Sequence, residues 1–260
     1  ARREQTSHTD QDNGLIISDT LKEVDKPWFE ALAKFVCDGL NECGYVYCPG
    51  DVMATNSRWR QTETVWAGYF EKWINQPDPK ALMYCSIFFD LRTIYGEKSL
   101  LKNIRTKMLQ QTQKSSLFIA HLTVNALKLR PPLGFFRDIV LVHDGEHDDT
   151  LDLKHNGIAP IVDLARIYAL AEGILAVNTM ERLKQAAGTP SLSKEGAANL
   201  QDALMFISTL RIKHQANKIQ NGLKADNFMS PIEISKLERE HLKDAFKVIQ
   251  TMQTSLERKH

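Results

Sequence analysis

The sequence predicts an α+β fold, with a mixed front of roughly 97 residues and a mainly helical back. Three observations predict it. Short β-branched and apolar runs stand at residues 15–18 and 86–95 of the front. From Pro160 onward, apolar residues recur at helical spacing, with breaks at Gly188-Thr189-Pro190 and around Asn221-Gly222. The chain has 260 residues, 43% of them hydrophobic, enough for a sizeable core in one or two domains.

The elements follow in order. Residues 1–8 are polar and helix-compatible. Thr9-Asp10-Gln11-Asp12-Asn13-Gly14 leads into a strand at residues 15–18. On a strand, residues i and i+2 share a face, so Asp10 and Asp12 aim at one spot and Gln11 faces away. Two crowded carboxylates need a counter-charge or a shared proton. A hard divalent cation is the usual counter-charge, although a bare Asp-x-Asp is more often a solvated turn. Pro27 starts a helix carrying Trp28, Leu32, Phe35, Val36 and Leu40, and Gly44 ends it. Residues 45–48 read as a short strand, and Pro49-Gly50-Asp51 as a turn. Trp59, Trp66 and Trp73, seven residues apart, with Phe70, read as one face of a helix buried in the core rather than a cofactor-stacking surface. Gln76-Pro77-Asp78-Pro79 stops that helix.

Ser86 to Gly96 reads as a buried strand. Asp90 interrupts it, where an unpaired charge would be costly, so it faces a cation, a polar site or solvent, or else pairs with Arg92 on the same strand face. Residues 98–128 hold one long helix or two. Residues 138–142 and 150–154 read as hairpin strands around His143-Asp144-Gly145-Glu146-His147-Asp148-Asp149, a polar turn before a metal site. Helices are predicted over residues 161–187, 194–220 and 231–258, the last with a Ser230, Pro231 and Glu233 start signal. The domains are therefore residues 1–97 and 98–260, the second with a β-hairpin near 138–154.

Composition narrows the partners. Lys+Arg is 33 and Asp+Glu is 32, a balance that argues against a general nucleic-acid binder. No apolar run approaches the ~18 residues of a membrane span, and no signal peptide is visible. Cys37, Cys43, Cys48 and Cys85 form no Cys-x-x-Cys pair, so no zinc site is expected and the simple reading is free thiols in the cytoplasm. The chain opens without Met and in mid-motif, which reads as a fragment of a longer protein.

Several segments together carry a resemblance: residues 1–5 with Thr9-Asp10-Gln11-Asp12-Asn13, Cys48-Pro49-Gly50-Asp51-Val52-Met53-Ala54-Thr55-Asn56, Phe88-Phe89-Asp90-Leu91-Arg92, Asp152-Leu153-Lys154-His155, residues 160–166 and residues 210–215. Across nearly its whole length the chain resembles a bacterial nucleotidyltransferase family attached to CBS and cyclic-nucleotide-binding modules. That family is related to the PII uridylyltransferases and glutamine synthetase adenylyltransferases.

The resemblance implies a polymerase-β-like nucleotidyltransferase core, N-terminally truncated, followed by a helical substrate-binding bundle. The superfamily's phosphate-holding Gly-Ser pair is not in the chain; by the family pattern it would lie just before residue 1. Asp10, Asp12 and Asp90 would be catalytic and hold two Mg²⁺ (or Mn²⁺) ions ~3.5–4 Å apart. Arg2 or Arg3 would neutralise phosphate, or make a structural salt bridge. Asn56 would contact sugar or base, or position its loop. In the helical half, a subset of Arg166, Arg211, Lys213 and His214 would line a cleft, with Arg211 and His214 binding substrate; structural ion pairs are the alternative.

The implied activity is transfer of a nucleoside monophosphate from an NTP, ATP or UTP first, to a hydroxyl of a protein or small-molecule acceptor, in bacterial signalling. Partners would be the acceptor and CBS or cyclic-nucleotide-binding modules, with no membrane and no nucleic acid. The competing readings are a non-catalytic nucleotide-sensing module of the same fold and RNA end modification.

Overall fold

The computed structural model describes residues 2–7, 9–134, 139–141 and 145–259. It is helix-rich with short strands, in two compact units, Ala1–Lys114 and Ser115–His260.

The first unit starts with β1 (Asp10–Gln11) and β2 (Leu15–Ile17). Helix α1 (Lys26–Glu42) follows, with Pro27 in its first turn. Gly44, at φ +89°, ends it in a conformation that favours glycine. Strand β3 (Val46–Tyr47) pairs with β1 in parallel, Asp10 opposite Val46. Strand β4 (Arg60–Thr62) pairs in parallel with β2, Leu15 opposite Arg60. Then come α2 (Glu63–Asn75), α3 (Pro79–Phe88) and α4 (Lys98–Lys114).

Helix α1 does not bury the stripe expected of it. Ala33 and Cys37 are its buried residues, while Trp28, Phe35 and Val36 are exposed. The small pair, one turn apart, lies on the helix that contacts β1, β3 and β4.

The tryptophan spacing does report burial, though not one helix. Trp66, Phe70, Trp73 and Ile74 form the buried stripe of α2. Trp59 lies before β4 in a short 3-10 turn, yet its ring reaches the same cluster, with centroids 5.9 Å from Trp66 and 4.4 Å from Phe88. The indole N–H of Trp66 donates to Leu15 O at 2.9 Å, and that of Trp59 to Asp51 O at 3.1 Å. The cluster therefore holds both β2 and the loop after β3. Gly14 fits against it: a Cβ there would stand 3.0 Å from Trp59 O and 3.1 Å from the Trp66 ring.

The strand expected over 86–96 is not formed. Residues 79–88 are α3, and 89–97 lack strand structure. Asp78 and Pro79 explain this. The Asp78 side chain accepts from Ala81 N at 2.8 Å, and Pro79 takes the first helical position, where its missing N–H costs nothing. Ala81, Leu82, Cys85 and Phe88 then recur at helical spacing and are buried. Helix α4 packs on α2 and β2, so it belongs to the first unit, whereas the sequence reading began the helical domain at residue 98.

The second unit holds α5 (Ser116–Ala126), β5 (Leu151–Asp152), α6 (Ala159–Ala171), α7 (Thr179–Ala186), α8 (Lys194–Gln220), β6 (Phe228–Met229) and α9 (Lys236–Glu257). Helix α6 is buried almost all round and contacts α5, α7 and α9. A helix apolar on every side belongs in a core. The predicted helix over 161–187 is two helices. Gly173, at φ +68°, follows α6, and the Asn178 side chain caps α7 by accepting from Glu181 N at 3.1 Å. Helix α9 starts after Ser235, whose Oγ accepts from Glu238 N at 3.2 Å; residues 231–233 form only a 3-10 turn.

The expected hairpin is also revised. Leu151 pairs antiparallel with Met229 of β6, and Ile139 bridges Leu133. The polar segment includes a 3-10 turn at Gly145–His147; Asp138, Val142, His143 and Asp144 lie outside the described residues. No helix among the described residues is long and apolar enough to cross a membrane.

Candidate functional site

Strand alternation builds the site. Gln11 and Asn13 turn inward and hold the strand by their amides. Gln11 Nε2 donates to Cys37 O at 2.9 Å and Tyr45 O at 3.0 Å, and its Oε1 accepts from Asn13 Nδ2 at 3.0 Å. Asn13 Oδ1 accepts from Ala54 N at 2.9 Å, and Asn13 N donates to Val52 O at 3.0 Å. Asp10 and Asp12 are left facing outward, as the i, i+2 spacing predicts.

A third side chain joins them. Ligand atoms of Asp10, Asp12 and Cys48 all lie within 4.8 Å of one another. The surrounding protein raises the Asp12 carboxyl above its usual range; the Cys48 thiol, hydrogen-bonded to it, pulls it back, and Asp10 raises it further. The Cys48 thiol is itself pushed up by burial, against the backbone N–H groups of Val52 and Gly50. Two oxygen donors held together with unrelieved repulsion fit a divalent cation. Sequence reasoning had both aspartates but missed Cys48. No local signal places Cys48 there; it follows Tyr47, which pairs with Gln11 of β1.

Asp90 is placed differently from expectation. It sits after α3 rather than on a strand, it is buried, and its Oδ2 accepts from Arg2 Nη1 at 2.7 Å. It is not a member of the Asp10–Asp12–Cys48 cluster. Arg2 also donates from Nε to Glu4 at 2.9 Å, which is the ion-pair alternative weighed for it. Arg3 is exposed, at φ +62°. Asn56 positions its loop: its Oδ1 accepts from Arg58 N at 2.9 Å, and its Nδ2 donates to Asp51 Oδ2 at 2.8 Å.

The four helical-half residues have partners inside the second unit. Arg166 pairs with Asp163 one turn away, and Lys213 lies 3.4 Å from Glu238. Arg211 Nε donates to Asn227 Oδ1 at 2.6 Å. His214 does not line an open cleft. Its ring is 1% exposed, with Nε2 2.9 Å from Asp226 and Nδ1 2.9 Å from Glu233. Carboxylates only accept, so both contacts are hydrogen bonds only when both ring nitrogens carry protons.

Asp226 gives a pH prediction. Burial raises its carboxyl, but hydrogen bonds from Lys218 and His214 outweigh that and hold it below the ordinary 3.8. A depressed carboxylate adds stability above its unfolded value and loses it as pH falls through its folded value. The melting temperature should therefore drop as pH falls below about 3.8. Asp226→Asn, which neutralises a carboxylate only a quarter exposed that also meets the buried His214, should flatten that limb. Identical acid limbs in melts of the two proteins would remove Asp226 from the account.

Comparison with known proteins adds identity. A family model described as "Putative nucleotidyltransferase substrate binding domain" matches residues 116–260, more than half of the chain, and one described as "Putative nucleotidyltransferase DUF294" matches residues 1–80. No curated protein matches the chain. With the two models falling in the two compact units, the chain belongs to the putative nucleotidyltransferase family that these domains define.

Proposed function

We propose that the protein is a divalent-cation-dependent nucleotidyltransferase, its first unit a polymerase-β-like core and its second a substrate-binding helical domain. The observation that carries this is the convergence of Asp10 and Asp12 on one outward face, within a chain of this family. Asp10 and Asp12 would hold Mg²⁺ or Mn²⁺. When bound, the cation supplies the positive charge that a triphosphate needs to meet two carboxylates. Gln11 and Asn13 keep the two acids in register from behind, and the Trp59 and Trp66 N–H groups fix the loop and strand that flank them. In the reaction, an acceptor hydroxyl loses its proton to solvent and its oxygen bonds to the α-phosphorus. The bond from that phosphorus to the β-phosphate oxygen breaks, and pyrophosphate leaves. The acceptor is a protein or small molecule, the setting bacterial signalling, and the partner modules of CBS or cyclic-nucleotide-binding type.

The test is incubation of the protein with labelled ATP, CTP, GTP and UTP, Mg²⁺ and a bacterial lysate. A labelled acceptor that depends on Mg²⁺ supports transfer. Nucleotide binding with no labelled acceptor would point instead to a sensing module.

A further inference from the structure

We propose that Cys48 is a third ligand of the Asp10–Asp12 site, and that this two-oxygen, one-sulfur set accepts a borderline divalent cation of the Zn²⁺ and Co²⁺ class. The proposal rests on the reading of Asp10 and Asp12 as cation ligands.

Geometry comes first. A tetrahedral ion holding sulfur at about 2.3 Å and oxygen at about 2.0–2.2 Å separates its donors by about 3.3–3.7 Å. The three ligand atoms lie within 4.8 Å of one another with no ion present, so rotamer changes that draw them together by up to about 1 Å complete the set. Cys48 is also placed by more than chance. Its turn is closed by Asp51 N donating to Cys48 O at 3.0 Å, with Asp51 at φ +54°. Asp51 O takes the Trp59 indole N–H, and Asp51 Oδ2 takes Asn56 Nδ2. Backbone N–H groups of Gly50 and Val52 are directed at the sulfur. Metal binding takes the anionic sulfur, so the ion itself must displace the thiol proton. On binding, the thiol proton now shared with Asp12 leaves to solvent.

Chemistry then sets the preference. Mg²⁺ takes oxygen ligands, whereas thiolates favour softer ions, and imidazole or carboxylate can complete such a shell. The cysteine spacing argued against a zinc site; one thiol brought beside two carboxylates by the fold revises that expectation. A Zn²⁺-class ion should therefore compete with Mg²⁺ for the same face, rather than occupy a separate one.

Co²⁺ is the probe, because a cobalt–thiolate bond absorbs in the near ultraviolet by charge transfer and a cobalt–carboxylate bond does not. Titrating Co²⁺ into the full chain should raise that band, saturating at one ion. Cys48→Ser should lose the band, while Cys43→Ser, which alters the exposed cysteine, should keep it. Asp12→Asn should weaken Co²⁺ binding by at least about tenfold. Circular dichroism melts of each variant establish that it is folded. No band in the wild type, a band that survives Cys48→Ser, or a band indifferent to Asp12→Asn overturns the proposal. Transfer assayed in Mg²⁺ is a separate readout: it can persist when the cobalt band is absent, and its loss leaves the band untouched.

Discussion

Trp66→Ala should cost about 3–5 kcal/mol, enough to threaten the folding of the first unit. Trp66 has no exposed surface and lies among the rings of Trp59, Phe70 and Phe88, at 5.9, 6.3 and 5.2 Å. Truncation removes a large ring from a close-packed interior, and the neighbours cannot collapse into the void because α2, α3 and the Trp59 turn all border it. It also deprives Leu15 O of its indole donor. Trp66→Phe separates the two effects: it keeps an aromatic filling and loses the N–H, and it should fall roughly 1–3 kcal/mol short of wild type. Urea unfolding of the three proteins gives the comparison. A loss below about 1 kcal/mol in the alanine variant would show that the cluster repacks.

Asp12→Asn should separate stability from activity, in opposite directions. Without metal, the folded protein raises the Asp12 carboxyl, so ionising it at neutral pH works against folding. Stability from this group is present below the unfolded value of 3.8 and is lost as pH rises through the raised one. Asparagine removes the charge and the repulsion from Asp10, and the apo melting temperature should stay level or rise slightly. Added Mg²⁺ should raise the wild-type melting temperature by mass action and leave the variant's unchanged. Nucleotidyl transfer should fall about 100-fold or more, since roughly 10–100-fold is lost even when only an outer partner of a metal ligand is removed. A variant that melts lower and still transfers at the wild-type rate would make Asp12 a structural residue.

The sequence was legible where one residue's neighbours decide its fate. Alternation through residues 10–12 put the acids outward and Gln11 inward, and spacing located the helical stretches of the second half, though not the break after α6 or the Ser235 cap of α9. It was not legible where a distant partner decides. Residues 60–62 are three polar residues with no alternation, and they become β4 because Leu15–Ile17 offers an edge. The heptad spacing of the tryptophans suggested one helix because burial, not helical phase, is what Trp59 shares with Trp66. Leu151 finds its partner at Met229, across a separation that no local pattern encodes. The β-branched and aromatic content of 86–95 pointed to a strand, but Asp78-Pro79 had already started a helix upstream. Cys48 reaches the acidic pair only through the β1–β3 pairing, so the site's third member depended on the fold.

The paired part of β1 is only two residues long, and that bears on how this site can change over descent. A ladder so short leaves much of the strand's direction to Gln11 and Asn13. An amide offers a donor and an acceptor together; a carboxylate lacks the donor, and leucine lacks both. A lineage that abandons the reaction can shed Asp10 or Asp12 from the surface at little cost to the fold. Shedding Gln11 would strip a donor from two carbonyls and the partner from Asn13. Inactive descendants should therefore keep the silent amides and lose the acids, leaving the mould of the site after its chemistry has gone.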